Sequence, residues 1–269
     1  MGQYSAKDCE QIWSAAEAAA DAARAVTLEY FRKPNLTAEN KLDDGFDPVT
    51  VADRKAEAAM RAVFGELRPD DGILGEEMET VAGTTGLTWV LDPIDGTRGF
   101  ISGTPTWGVL IACSDESGPI MGLIDQPHIG ERFMGGLGRA RFRGPHWESD
   151  LQTRKTTEVN QATLFTTFPE VGSPAQRDAF ERVARQVKLT RYGCDCYAYA
   201  LLAAGHVDLV IEAGLNAYDI QAPIGVIQAA GGVITDWAGN PAHGGGTALA
   251  AATPELHAQA LALLQAEVA

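Results

Sequence analysis

Residues 89 to 97 read Trp-Val-Leu-Asp-Pro-Ile-Asp-Gly-Thr, an apolar run that passes directly into two carboxylates and a hydroxyl. Pro93 cannot donate to a sheet ladder and holds the residue before it extended, so a strand is expected to end at Asp92 with that carboxylate at its tip. Asp95-Gly96 then turns the chain. If Thr97 begins a short helix, the amides near Gly96 and Thr97 point outward as an anion site, beside two acids that would repel an anion. A divalent metal reconciles the two, because Mg2+ takes carboxylate, carbonyl and water oxygens and commonly binds together with substrate phosphates. Taken alone, D-P-x-D-G is accounted for equally well by a plain turn capped by Asp92. Three other segments shift the balance, each placing an acid at the edge of a regular element: Gly75-Glu76-Glu77 after Ile73-Leu74, Tyr218-Asp219-Ile220 after a glycine-containing loop, and the stretch from Asp47 to Asp53 at the start of a helix.

Other chemistries find less support. Cys9, Cys113, Cys194 and Cys196 are too few for a disulfide framework, and the last two are spaced C-x-C, so all four are expected as reduced thiols. Neither Cys194 nor Cys196 has an evident base, and both read as small buried apolar groups. The five histidines are scattered singly, which disfavours zinc. With 36 Asp and Glu against 21 Lys and Arg in 269 residues, the formal net charge is −15. A nucleic-acid binder needs a basic face, so no nucleic-acid partner is expected.

The elements that must position these acids follow from periodicity. Ile12, Ala16, Ala19, Ala23, Val26 and Tyr30 form one seam of a long helix opened by Ser5 with Asp8 and ended before Pro34. A second one-sided helix over 52–68 shows Ala56, Met60, Val63 and Leu67 and stops at Pro69. Short apolar runs at 87–91, 107–112, 119–124 and 132–135 then read as antiparallel strands. From about residue 150, helices at 174–186, 196–204 and 218–230 and a last helix to residue 269 alternate with strands at 207–212, 232–236 and 247–252. The polar stretch 144–158 suggests a boundary, giving an α+β domain over 1–148 with most of the acids and an α/β domain over 149–269 with Asp219. No apolar run approaches the roughly 18 residues of a membrane span, and the first ten residues lack the features of a secretory signal. No membrane partner and a cytoplasmic location are expected.

The sequence resembles the inositol monophosphatase family of Mg2+-dependent phosphatases. Four motifs stand in the family's order: D-P-V-T-x-A-D at 47–53, G-E-E at 75–77, W-V-L-D-P-I-D-G-T at 89–97, and A-Y-D-I at 217–220 followed by Ala229-Ala230-Gly231-Gly232. Tyr218 stands where many members carry Trp. The resemblance implies a layered αβαβα sandwich with an antiparallel sheet in the first half and a mixed sheet in the second. It also implies a homodimer and two or three Mg2+ ions per site, held by Glu76, Asp92, Asp95, Asp219 and the main-chain carbonyl of Ile94. Thr97 and Asp53 would help orient the attacking water, Glu76 would take its proton, and the amides of Gly96 and Thr97 would hold the phosphoryl oxygens. Lys41, near a position where the family often carries a lysine, takes no assignment.

Within the family, G-T-R-G-F-I at 96–101 and the stretches 193–199 and 214–219 look most like the histidinol-phosphate phosphatase branch. Asp195 and Glu212 match substrate-pocket positions and would present carboxylates beyond the metals, to which an ammonium responds more strongly than a hydroxyl. Asp195 also reads as the N-cap of the helix that follows it, and Arg98 either assists substrate or pairs with a nearby acid. Trp89, Trp107 and Trp237 are expected in the core. The rival readings are an inositol-1-monophosphatase or another small-molecule phosphatase of the family, and a metal-binding regulatory protein without turnover.

Overall fold

The computed structural model describes residues 4–34, 38–40 and 48–266; Lys41 and Asp47 lie outside the described residues. Along the chain run α1 (Ala6–Tyr30), β1 (Ala38–Asn40), β2 (Pro48–Thr50), α2 (Val51–Leu67), β3 (Gly72–Gly75), β4 (Thr88–Asp95), α3 (Thr97–Ser102), β5 (Gly108–Asp115), β6 (Gly118–Gln126), β7 (Glu131–Gly136), β8 (Arg139–Arg143) and β9 (Glu148–Asp150). There follow β10 (Thr163–Thr166), α4 (Pro174–Ala184), β11 (Leu189–Tyr192), α5 (Tyr197–Ala203), β12 (Leu209–Leu215), α6 (Ala217–Ala229), β13 (Val233–Thr235), β14 (Gly246–Ala251) and α7 (Pro254–Gln265).

The seven-stranded sheet follows chain order from β3 to β9, antiparallel except for the parallel edge pair β3–β4. The five-stranded sheet has the order β11-β10-β12-β14-β13 and is mixed, with β10 parallel to β11 and β12. Alternation along the strands assigns the layers, since successive side chains point to opposite faces. Trp89, Leu91, Val109 and Ile111 pack under α1 and α2. Val90, Leu110 and Ala112 face α5 and α6, whose other side meets Val210, Ala248 and Ala250 of the second sheet. Leu164, Leu209 and Ile211 turn to α4 and α7. The result is the expected αβαβα sandwich. A division of the chain at 148/149 would fall within β9 and cut the apolar cluster that runs from Val90 to Ala250.

Two expectations need correction. The strand expected to end at Asp92 continues to Asp95: the ladder to β5 skips Pro93 and Ile94 and resumes at Asp95 opposite Gly108, so the missing N–H of Pro93 is absorbed in a bulge. The seam of α2 is rotated, burying Phe64 while Leu67 stays half exposed, because Phe64 stacks on Trp89 with ring centroids 4.2 Å apart. The short strands β8 to β11 carry few apolar residues and were not legible as strands. The capping pair of Ser5 and Asp8 is present, as is burial of Trp89 and Trp107, and all four cysteines are free.

The central helix α6 is apolar on nearly all sides and lies between the sheets, with Ile220 to Ile227 buried. Glycines let its backbone touch the sheet. A Cβ on Gly122 would stand 2.1 Å from the Ala222 carbonyl oxygen, and one on Gly225 would stand 2.4 Å from the Gly122 nitrogen. This approach fixes where the helix begins, and Asp219 lies in its first turn. Gly122→Ala is therefore expected to cost at least ~2 kcal/mol in urea unfolding, since backbone must move. Gly65→Ala, on the exposed side of α2 with nothing within 4 Å of the new Cβ, should instead stabilise by about 0.5–1 kcal/mol. Opposite signs from two chemically identical substitutions are the expected result; equal effects would show that the contact does not constrain α6.

Candidate active site

One pocket, with a cavity volume of about 270 Å3, opens where the ends of β3, β4 and β12 meet α3, α5 and α6. Glu76, Asp92, Ile94, Asp95, Gly96, Thr97, Arg98, Asp195, Glu212 and Asp219 all line it. Asp53, to which the resemblance gives a part in orienting water, stands outside this lining; it is fully buried in the first turn of α2.

Each acid is held by its local chain. Asp92 turns back on the bulge to accept the Ile94 N–H at 3.0 Å. Asp95 accepts the Cys196 N–H at 2.6 Å, tying β4 to the start of α5. Asp219 accepts the Asn216 N–H at 2.6 Å in a capping box. The Glu76 N–H reaches the Leu91 carbonyl at 3.2 Å, so the end of β3 stays beside β4. Asp92, Asp95 and Asp219 each offer a carboxylate oxygen, and these atoms lie within 4.8 Å of one another.

That cluster is electrostatically unfavourable by itself. Burial, then the charges of Glu76, Asp95 and Asp219, push the Asp92 carboxyl well above its ordinary range. Burial, then Asp195 and Asp219, do the same to Asp95. Acids this close cannot all ionise without a counter-charge. An all-oxygen donor set suits a hard divalent cation such as Mg2+ and not zinc, so the residues present fit the metal implied by the resemblance.

The other named residues divide. The Thr97 hydroxyl donates to the Ile94 carbonyl at 3.1 Å, so its proton is directed there and not to Asp53. Asp53 completes the α2 capping box: its Oδ2 accepts the Thr50 N–H at 2.8 Å and the Thr50 hydroxyl at 2.6 Å. Its Oδ1 is buried without a partner among the described residues, and burial raises its pKa to about 6. Asp195 is not the cap of α5. That position falls to Cys196, which makes no side-chain cap bond, while Asp195 takes a left-handed backbone (φ 46°). Its carboxyl presses on Gly96, where a Cβ would come within 2.7 Å of Asp195 Cγ. Glycine at 96 thus serves both its own φ of 84° and this close approach. Burial raises the Asp195 pKa, against the Thr106 hydroxyl and the Arg98 charge; the Arg98 guanidinium lies 5.0 Å from the Phe168 ring centroid.

Glu212 is the self-sufficient acid. It accepts the Thr166 hydroxyl at 3.2 Å and the Thr167 N–H and hydroxyl at 2.7 and 2.9 Å. Burial still raises its pKa to about 7. Thr167, Phe168 and Tyr199 belong to the pocket wall and were not anticipated. The strand that delivers the first two, β10, is only four residues long, and Thr-Leu-Phe-Thr places two apolar residues side by side with no polar–apolar alternation to mark a strand.

A sequence profile of the inositol monophosphatase family matches residues 8–269. The chain is 44% identical over 240 residues to "Bifunctional phosphatase IMPL2, chloroplastic" of Arabidopsis thaliana, covering 88% of this chain and 67% of that protein. It is 34% identical over 239 residues to the histidinol-phosphatase of Mycobacterium tuberculosis, covering 87% of this chain and 90% of that one. Among solved structures, an inositol monophosphatase from Zymomonas mobilis superposes with a TM-score of 0.84 at 37% identity, over 98% of this chain and 100% of that one.

The buried acids set a pH dependence. A carboxyl whose pKa is higher folded than unfolded holds its proton more tightly in the folded state, so its contribution to stability is full at low pH and is lost as pH rises through the folded value. For Asp53 and Glu212 that loss runs from about pH 4 to about pH 7, and Asp92 and Asp95 extend it upward. The chelated protein is expected to melt at least ~4 °C lower at pH 8 than at pH 6, a change of about 1–2 kcal/mol for a chain of this size. Added Mg2+ should reverse most of it by binding the folded state. Asp92→Asn should raise the melting temperature of the chelated protein at pH 8 and abolish the Mg2+ response. A wild-type Mg2+ response retained in that variant would show that Asp92 is not part of the cation site.

Proposed function

This chain belongs to the inositol monophosphatase family, and we propose that within it the chain is a Mg2+-dependent phosphate monoester hydrolase whose preferred substrate is histidinol phosphate. The observation that carries the reading is the pocket whose lining joins the clustered Asp92, Asp95 and Asp219 oxygens with Glu76, Asp195 and Glu212. Two or three Mg2+ ions per site and a homodimeric assembly are part of the same reading and rest on family membership. Further support for the substrate comes from relatives named histidinol-phosphatase, each 34% identical to this chain.

Bound Mg2+ would supply charge neutralisation at the phosphoryl group and a lowered pKa for water. Glu76, Asp92, Asp95, Asp219 and the Ile94 carbonyl are the groups proposed to hold it. The chain's own part is positioning. The amides of Gly96 and Thr97, at the start of α3, would donate to phosphoryl oxygens. Glu76 would accept the proton that leaves the attacking water as it approaches phosphorus opposite the ester oxygen. Thr97 and Asp53 would steer that water, Asp53 through Oδ1, which has no partner among the described residues. Asp195 and Glu212 would meet the organic half of the ester; burial raises the Asp195 pKa, and the Thr106 hydroxyl and the Arg98 charge offset part of that rise. Histidinol phosphate brings an ammonium and an imidazole to these two carboxylates, whereas inositol 1-phosphate brings only hydroxyls.

The test compares the two esters. Hydrolysis should require Mg2+ and stop on chelation, with kcat/KM for histidinol phosphate exceeding that for inositol 1-phosphate. A charge-assisted hydrogen bond is worth ~1.5–3 kcal/mol, so Asp195→Asn should lower kcat/KM for histidinol phosphate roughly ten- to a hundredfold and change the inositol ester far less. Equal losses, or a wild-type preference for inositol 1-phosphate, would move the substrate to the inositol branch. Undiminished turnover after exhaustive chelation would overturn the metal reading itself.

A further inference from the structure

Glu57 and Arg61, one turn apart on α2, lie behind the loop that carries Glu76. Glu57 is fully buried. Its Oε2 accepts the Glu77 N–H at 2.7 Å, and its Oε1 accepts the Arg61 Nε–H at 2.8 Å. Arg61 also donates to the Met78 carbonyl at 3.2 Å. The two side chains thus bond to main-chain groups of both residues that follow Glu76. A Cβ on Gly75 would lie 2.0 Å from Glu57 Oε1 and 2.8 Å from the Arg61 guanidinium, so the glycine of the G-E-E motif is there because this pair presses against the chain. On the other side Glu76 is bonded through its N–H to Leu91 of β4. The acid's backbone is therefore set between α2 and the strand bearing Asp92.

We infer that Glu57 and Arg61 are positioning residues that clasp segment 75–78 and so aim the Glu76 carboxylate at the cation site; the inference rests on the metal reading proposed above. A buried ion pair is weak evidence of stability in itself, because desolvation offsets attraction. Its bonds here go to the backbone around one acid, and groups that orient a ligating side chain typically alter metal affinity ten- to a hundredfold when removed.

The experiment titrates the full-length chain, stripped of metal, with Mg2+ alone, by calorimetry and by the Mg2+-dependent rise in melting temperature. Glu57→Gln keeps the shape but presents one amide N–H2 to a donor, and is expected to weaken Mg2+ binding about tenfold. Arg61→Ala, which leaves Glu57 in place and removes a side chain nearer the surface, should weaken it at least threefold and stays informative if Glu57→Gln folds poorly. Glu66→Gln, exposed on the same helix, should leave binding as in wild type. At saturating Mg2+ the KM for the phosphate ester should stay within about twofold for both clasp variants, with the loss in rate recovered as Mg2+ rises. A purely structural pair would lower the melting temperature in chelator and leave the Mg2+ midpoint untouched, and that outcome overturns the inference while leaving the function standing. A wild-type chain that Mg2+ neither binds nor activates would overturn the metal reading and the clasp together.

Discussion

The arrangement that everything else must support is the gathering of Asp92, Asp95 and Asp219 to within 4.8 Å, with Glu76 beside Asp92. Two unit negative charges about 4 Å apart repel by roughly 4 kcal/mol at an effective dielectric near 20. A loose loop would relieve that by moving apart. The fold prevents it by setting Asp92 and Asp95 in β4 and Asp219 in α6, so that separating them would require a sheet strand or a buried helix to shift. The unfavourable charge in the ligand-free chain is what gives a cation its hold there.

Position is enforced by contacts that leave no slack. The bulge around Pro93 puts two acids of one strand, three residues apart, into the same pocket, which regular alternation would have sent to opposite faces. Gly122 and Gly225 bring α6 to backbone contact with the sheet and so set the height of Asp219 over the other two. Gly96 lets the Asp195 carboxyl lie against the turn that follows Asp95. In each case a glycine or proline reads in the sequence as a turn signal, and its structural meaning is a close approach between elements distant in the chain.

This explains what was legible beforehand. The long helices were readable because α1 and α2 carry capping boxes and apolar seams, whereas the layered order came from the family resemblance and not from the strands' own pattern. The acids at 76, 92, 95 and 219 were readable because their motifs are local. Asp53 shows the limit: its capping role is visible in T-x-x-D, while the buried oxygen it leaves unbonded is a tertiary fact. Glu57 was passed over for the same reason, since an acid next to an apolar seam is ordinarily a solvated flank and only the G-E-E loop above it makes burial tolerable. Thr166 and Thr167 were hidden because β10 draws its identity from its neighbours in the sheet and not from its own four residues.

The pocket's carboxylates fall into two kinds, and the difference bears on substrate choice. Asp92 and Asp95 each accept one main-chain N–H and are raised by neighbouring acids as well as by burial, so their need is for a cation. Glu212 has three donors, lies with its pKa near 7, and can stand ionised without a metal if a modest positive charge arrives. A net charge of −15 opposes a phosphate dianion, and although salt screens this beyond about 8–10 Å, inside the pocket the opposition is local. An ester that carries its own ammonium brings the counter-charge for Asp195 and Glu212 with it. A neutral polyol phosphate brings no counter-charge to either acid, so on the proposed reading these two carboxylates favour the zwitterionic ester over the hydroxyl-bearing one.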